Sequence, residues 1–233
     1  MKDKYTYEDF LGIIETLRSE NGCPWDREQT HQSLRPCLME EAAEVMAAIR
    51  IYEKTGDWTN LREELGDVLL QVVMHAQIAR EEGLFTMEDV VSEVAEKMVR
   101  RHPHVFGSIS VDTSAQVLEN WDEIKKKEKA GRTKTETPLR EIPLELPALT
   151  RAPKVLKKAD KLYESQGSFK DALEKLKSAV AELEALGSAA GEESLSVPVG
   201  ELLLAVSNIS RLCKLPQEQI LSDKIDNVID KFE

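Results

Sequence analysis

Two acidic clusters carry the strongest chemical pattern in the chain, Glu40-Glu41-Ala-Ala-Glu44 and Glu63-Glu64-Leu-Gly-Asp67. In each, an acidic pair at i, i+3 (Glu41/Glu44 and Glu64/Asp67) projects from one side of a helix, the two side chains about 60° apart at 3.6 residues per turn. Each pair begins three residues after a leucine, Leu38 or Leu61, so helices that bring these leucines face to face gather four carboxylates at one edge. Charged residues at helical spacing ordinarily form a solvated face. Asp67 departs from that, because it shares a side with Leu70, Met74 and Ile78, which predicts partial burial. An unpaired buried carboxylate must be protonated, paired or bound to a metal. Four carboxylates without His or Cys are hard oxygen ligands, which suit Mg2+, with Mn2+ as a substitute, rather than zinc. Magnesium bridges protein carboxylates to substrate phosphates, so the pattern points to phosphoryl or nucleotidyl chemistry, and the chain has no Walker-type loop or dinucleotide fingerprint. Gly66 sits mid-helix at a cost of about 1 kcal/mol relative to Ala, for close helix approach beside the site or as a packing notch.

The elements that must hold these groups read as helices from end to end, with no sustained strand alternation, so the fold class is all-α. A first helix opens at Thr6, with Asp9 three residues on and Phe10, Ile13, Ile14 and Leu17 as its stripe, and stops before Asn21-Gly22 and Pro24. The two cluster-bearing helices run from Pro36 to about Lys54, before Gly56, and from about Trp58 to Glu82, before Gly83. Thr86 caps a fourth helix ending at His102-Pro103, and Asp112 or Thr113 starts a fifth that passes Trp121 and ends near Lys127, with Gly131 closing the block. Residues 131–147, with Pro138, Pro143 and Pro147, read as a linker between a domain at 1–130 and one at 148–233. Four more helices follow, at about 150–166, 168–186, 198–214 and 216–231. A shift of 134 residues lays Glu40 on Glu174, Leu61 on Leu195, Gly66 on Gly200, Leu69-Leu70 on Leu203-Leu204, Val72 on Val206 and Val94 on Val228, which reads as a tandem repeat.

Composition limits the partners. The 233 residues carry a net charge of -12, of which -10 belongs to residues 1–130, so no broad nucleic-acid-binding surface is expected. The longest apolar runs, Val68–Leu70 and Leu202–Val206, predict no membrane span, and an N-terminus without an apolar core predicts a cytoplasmic protein. Cys23, Cys37 and Cys213 fit neither a disulfide framework nor a zinc site and read as buried small hydrophobes.

The ordered set Asn21-Gly-Cys-Pro-Trp-Asp26, Glu40-Glu-x-x-Glu44, Glu64-x-x-Asp67, Lys97 through Phe106 and Trp121-x-x-x-Lys125 resembles the MazG family of nucleoside triphosphate pyrophosphohydrolases, of the all-α NTP pyrophosphatase superfamily. The resemblance spans residues 1–130. It implies hydrolysis between the α and β phosphates to a nucleoside monophosphate and pyrophosphate. It implies Mg2+ held by Glu41, Glu44, Glu64 and Asp67, with Glu40 and Glu63 as additional or supporting groups. Glu40 or Glu41 would accept the proton of the attacking water. Lys97, Arg101 and Lys125 would contact the phosphates, Trp121 would contribute to the nucleotide site, and two copies would form a homodimer. Trp25 either stacks near a base or fixes its loop from the core, and His102 and His104 flank a helix stop at Pro103. At the repeat offset the ligands become Lys175, Ser178, Pro198 and Glu201, so the second domain is expected to be a degenerate, non-catalytic copy. The competing class is a non-catalytic nucleotide-sensing or protein-interaction module, against which the intact first ligand set argues.

Overall fold

The computed structural model describes residues 2–130, 137–164, 167–187 and 190–232, apart from the side chains of residues 126, 129 and 130. Gly131 and residues 132–136 of the expected linker lie outside the described residues. The described chain is all-α, with no strand among these residues, and it divides into two compact units, 1–130 and 131–233.

In the first unit, α1 (Tyr7–Arg18) and α5 (Met87–Arg101) start where the sequence places a cap. Thr6 and Thr86 each accept the backbone N–H of the Asp three residues on, whose carboxylate returns to the cap N–H. Such a cap contributes about 1 kcal/mol per helix. Between them lie α2 (Pro24–Glu28), α3 (Arg35–Thr55) and α4 (Thr59–Glu81); α6 (Pro103–Phe106) and α7 (Ser114–Ala130) complete the unit. Gly56 ends α3 in the left-handed region at φ 77°, where an L side chain would be strained. α3 and α4 pack along each other, while Ile14, Leu34, Val73, Met74 and Ile78 form a core lined by Phe10, Leu11, Leu17, Leu70 and Met87. The apolar rows of α1 and α4 therefore fix the half of α4 that follows Asp67.

The short helices α2 and α6 have too few residues for periodicity to show. Both begin with proline, whose fixed φ suits a first helical position. Arg18, 5% exposed, holds α2 in place. Its Nε and Nη2 donate to the Glu81 carboxylate at 3.0 and 2.7 Å, and its Nη1 donates to the carbonyls of Asp26 at 2.5 Å and Gln29 at 3.1 Å. Trp25, on α2, is 61% exposed and is therefore not a core anchor.

His31 and His75 join the segment before α3 to α4. Their Nδ1 atoms are 2.8 Å apart, the ring planes differ by 9° and the centroids are 5.1 Å apart. That separation is the N···N distance plus the two ring radii, so the rings meet edge to edge in one plane and share a proton between the nitrogens. Burial, then the neighbouring His31, lowers the pKa of His75. A folded pKa below the unfolded value of about 6.5 stabilises the fold above that pH, and the contribution is lost as pH falls through the window below it. Melting temperature is thus expected to fall between pH 7.5 and 5.5, and His75→Gln should flatten that slope relative to wild type. Glu41 and Glu64 have raised pKa values and act in the opposite sense in both proteins, so the comparison isolates His75. An unchanged slope in differential scanning fluorimetry refutes the assignment.

The second unit contains a 3-10 turn (Pro138–Glu141) followed by α8 (Ala148–Tyr163), α9 (Phe169–Leu186), α10 (Glu192–Leu212) and α11 (Gln217–Ile229). Part of the stretch expected as linker is anchored here: Ile142 is buried, and Lys158 donates to the Pro138 carbonyl and, at 2.6 Å, to Glu141. α10 starts six residues earlier than expected and carries Pro198 inside. Gly191 is its N-cap, Glu192 and Glu193 in the first turn complement the helix dipole, and the proline is fully buried. At 21 residues α10 is long and apolar enough to cross a membrane by length and composition alone, a test that core helices also pass. It packs along α9 and α8.

Candidate active site

α3 and α4 set the acidic site. Because they pack lengthwise, Glu41 on α3 comes opposite Glu64 and Asp67 on α4, one carboxylate oxygen of each lying within 4.8 Å of the others. All three are half-buried, as the apolar side of Asp67 requires. Leu38 does not hold this convergence: it is 38% exposed and is not a core residue. Gly66 lies open. A Cβ there would meet nothing within 4 Å, so neither close helix approach nor a packing notch within this chain explains it.

The electrostatics follow from crowding like charges. Burial, then the Asp67 and Glu44 carboxylates, a hydrogen bond with Glu44, and finally Glu64, push the Glu41 carboxyl above its ordinary range. Burial, Glu44, Asp67 and Glu63 likewise raise Glu64, while Asn60, donating to its Oε1 at 3.2 Å, works the other way. Glu44 is exposed at the rim and outside the three-carboxylate group, although its charge reaches both Glu41 and Glu64. Glu40 and Glu63 are exposed. Asn60 went unnoticed in the sequence; its signal is the i, i+4 spacing that lets an amide brace a carboxylate one turn on.

This donor set fits a hard divalent cation. Octahedral Mg2+ takes oxygen ligands at 2.0–2.1 Å, and three carboxylates already within one coordination sphere's reach need only small rotamer changes to share an ion. Burial and then the neighbouring carboxylates raise the pKa of Glu41 and Glu64, and a cation would offset both.

A basic and aromatic group forms separately, where α5 meets α7. The Arg101 guanidinium carbon lies 5.6 Å from the centroid of the Trp121 ring, and His102 meets that ring edge-on at 4.9 Å and 84°. His102 Nδ1 is 2.7 Å from the Met98 carbonyl, which makes this nitrogen the donor and fixes the ring beneath Trp121. His102 was read only as part of a helix stop; its second role depends on a ring contact across two helices. Lys97, one turn before Arg101, and Lys125, one turn after Trp121, are half-buried. Glu128 was also missed. It accepts from Arg101 Nη2 at 2.6 Å and Nε at 3.3 Å, and from Arg100 Nε at 2.9 Å, and these arginines hold its carboxyl down to about 2.

Residues 29–106 match the MazG nucleotide pyrophosphohydrolase domain, a span that contains the whole acidic site together with Lys97 and Arg101. The chain is 40% identical over 227 residues, 97% of its own length and 84% of the relative's, to the nucleoside triphosphate pyrophosphohydrolase/pyrophosphatase MazG of Thermotoga maritima. The chain belongs to the MazG family. It is also 39% identical over 204 residues to the nucleoside triphosphate pyrophosphohydrolase of Escherichia coli K12, covering 86% of this chain and 76% of that protein. A protein of Bacillus subtilis known as YabN and otherwise uncharacterized is 41% identical over 229 residues, which make up 46% of its length. The MazG domain match stops at residue 106, before Trp121 and Lys125, whereas the similarity to the Thermotoga protein runs over nearly the whole chain.

Proposed function

We infer that the chain hydrolyses nucleoside triphosphates to nucleoside monophosphate and pyrophosphate, using Mg2+, or Mn2+ in its place, held by Glu41, Glu44, Glu64 and Asp67. The observation that carries this reading is the convergence of Glu41, Glu64 and Asp67 within 4.8 Å in a member of this family. The cation supplies charge neutralisation of the triphosphate and polarisation of the attacked phosphate. The chain supplies the rest. Asn60 orients Glu64, and Glu40 or Glu41 accepts the proton of the attacking water. Lys97, Arg101 and Lys125 stabilise charge gathering on the departing pyrophosphate, and the Trp121 ring contacts the nucleotide. The deciding assay measures monophosphate and pyrophosphate from a panel of NTPs and dNTPs with Mg2+. Release of orthophosphate in place of pyrophosphate, or no turnover of any substrate, overturns the reading.

Two copies are proposed to pair through α3 and α4. Met39, Met46 and Ile49 of α3 and Leu65 and Leu69 of α4 leave apolar surface uncovered on the two helices that carry the acidic site. Sedimentation should give twice the chain mass of 26.3 kDa, and Met46→Lys should shift it toward the monomer; a wild-type monomer refutes the pairing.

The second unit is proposed to be a degenerate copy. The 134-residue offset carries Arg35–Thr55 to 169–189 and Thr59–Glu81 to 193–215, overlying α9 and α10, while Lys175, Ser178 and Pro198 stand where ligands would be needed. The three cysteines are free, which suits the reducing cytoplasm proposed for this enzyme. They are not the buried hydrophobes expected, since Cys213 is exposed and the others are half-buried.

A further inference from the structure

We propose that Glu128 is a positioning residue that presents Arg101 to the substrate's phosphates. The inference rests on the reading of Arg101 as a phosphate ligand. Trp121, Lys125 and Glu128 follow one another at i, i+4 and i+7, so one face of α7 turns an aromatic ring, a cation and a carboxylate toward α5. Glu128 grips the guanidinium of Arg101 from the side: Oε1 takes Nε and Oε2 takes Nη2. A guanidinium has five N–H donors in a rigid plane, and this grip uses one edge. Among the described residues nothing takes the far edge, made of Nη1 and the second Nη2 proton, which can form paired bonds with a phosphate.

Three contacts then hold Arg101. Glu128 holds its edge, its guanidinium carbon lies over the Trp121 ring at 5.6 Å from the centroid, and the short span to His102 ties its backbone to the ring on which Trp121 rests. The side chains of Arg101 and Glu128 are only 18% and 20% exposed, so the pair is shielded enough for its geometry to persist, whereas Arg100, 54% exposed, is the peripheral partner. An arginine without such a support must lose side-chain freedom when it binds a phosphate. Holding the guanidinium in its working orientation removes that cost from substrate binding.

A carboxylate beside a phosphate ligand could also act as a competitor that substrate must displace, and the two roles predict opposite signs. If Glu128 positions Arg101, Glu128→Ala raises KM for a nucleoside triphosphate about 10- to 100-fold, the range typical for partners that orient a binding group, with kcat changed by less than about threefold. Glu128→Gln, which has the same shape and keeps one acceptor oxygen, gives a smaller rise, and it also serves if the alanine variant folds poorly. In an Arg101→Ala background, Glu128→Gln has no further effect on KM. A lowered KM in the single variants, an unchanged KM, or a full additional rise in the Arg101→Ala background overturns the inference while leaving the function intact. If Arg101→Ala itself leaves KM unchanged, the phosphate role of Arg101 fails and the role of Glu128 falls with it, even though turnover by the carboxylate site continues.

Discussion

Replacing Glu41 by Gln should lower pyrophosphohydrolase turnover by at least about 100-fold, since even the outer partners of metal ligands typically cost 10- to 100-fold. The same change should leave the metal-free protein no less stable. Burial and three neighbouring carboxylates make the charged form of Glu41 unfavourable, so a neutral amide of the same shape removes repulsion between α3 and α4. Asp67→Asn should behave alike, because it takes away a charge that raises both Glu41 and Glu64. The combination separates this site from a structural one: truncating a structural ion pair lowers both stability and activity, whereas here only activity falls. Mg2+ gives the complementary readout. Saturating it at a hundred times its dissociation constant should stabilise wild type by about 2.7 kcal/mol, and that increment should shrink in both variants. Calorimetry with and without Mg2+, set beside turnover, measures both quantities. A variant that loses stability without Mg2+, or keeps the Mg2+ increment in full, removes Glu41 or Asp67 from the cation site.

The parts of the molecule legible in the sequence are those written in local periodicity and local caps. Thr6 and Thr86 announce their helices because a cap and its reciprocating Asp lie three residues apart, and Gly56 announces an end because only a left-handed residue fits there. The meeting of Glu41 with Glu64 and Asp67 was also within reach, since each lies on a helix whose phase an apolar row sets. What escaped depends on contacts between elements far apart in sequence. Glu128 grips Arg101 across 27 residues, His102 touches Trp121 across a helix boundary, and His31 meets His75 across 44. In a linear reading each looks like surface charge or a helix stop. Leu38 and Gly66 show the opposite error, where a residue type that usually packs lies open in the single chain. The start of α10 was misjudged because a proline normally opens a helix, and here a capped, acidic first turn precedes it.

Arg18→Ala is expected to have the largest effect on stability of any single change at a charged residue of the first unit, about 2–4 kcal/mol. Four of its hydrogen bonds disappear at once, and they do not substitute for one another. The Glu81 carboxylate, 37% exposed, can turn to water and still keeps the Gln77 amide at 2.9 Å, so its loss is the cheaper part. The carbonyls of Asp26 and Gln29 fare worse, because both lie at the C-terminal end of α2, where the Asp26 carbonyl is left with only the Gln29 N–H at 3.3 Å. The guanidinium closes that end from the side and ties it to the last turns of α1 and α4. Without it, the segment leading to His31 and Leu34 keeps the histidine pair, one core leucine, the His31–Glu82 contact at 3.9 Å and the Arg27 donation to the Glu20 carbonyl at 2.8 Å. Arg18→Lys should recover little, since an ammonium cannot span a carboxylate and two carbonyls together. Glu81→Gln should cost much less than Arg18→Ala, although the two residues form one ion pair, because the α2 carbonyls keep their donor. Urea unfolding of the three variants tests the ranking. Equal costs for Arg18→Ala and Glu81→Gln would mean that the ion pair, and not closure of α2, is what Arg18 contributes.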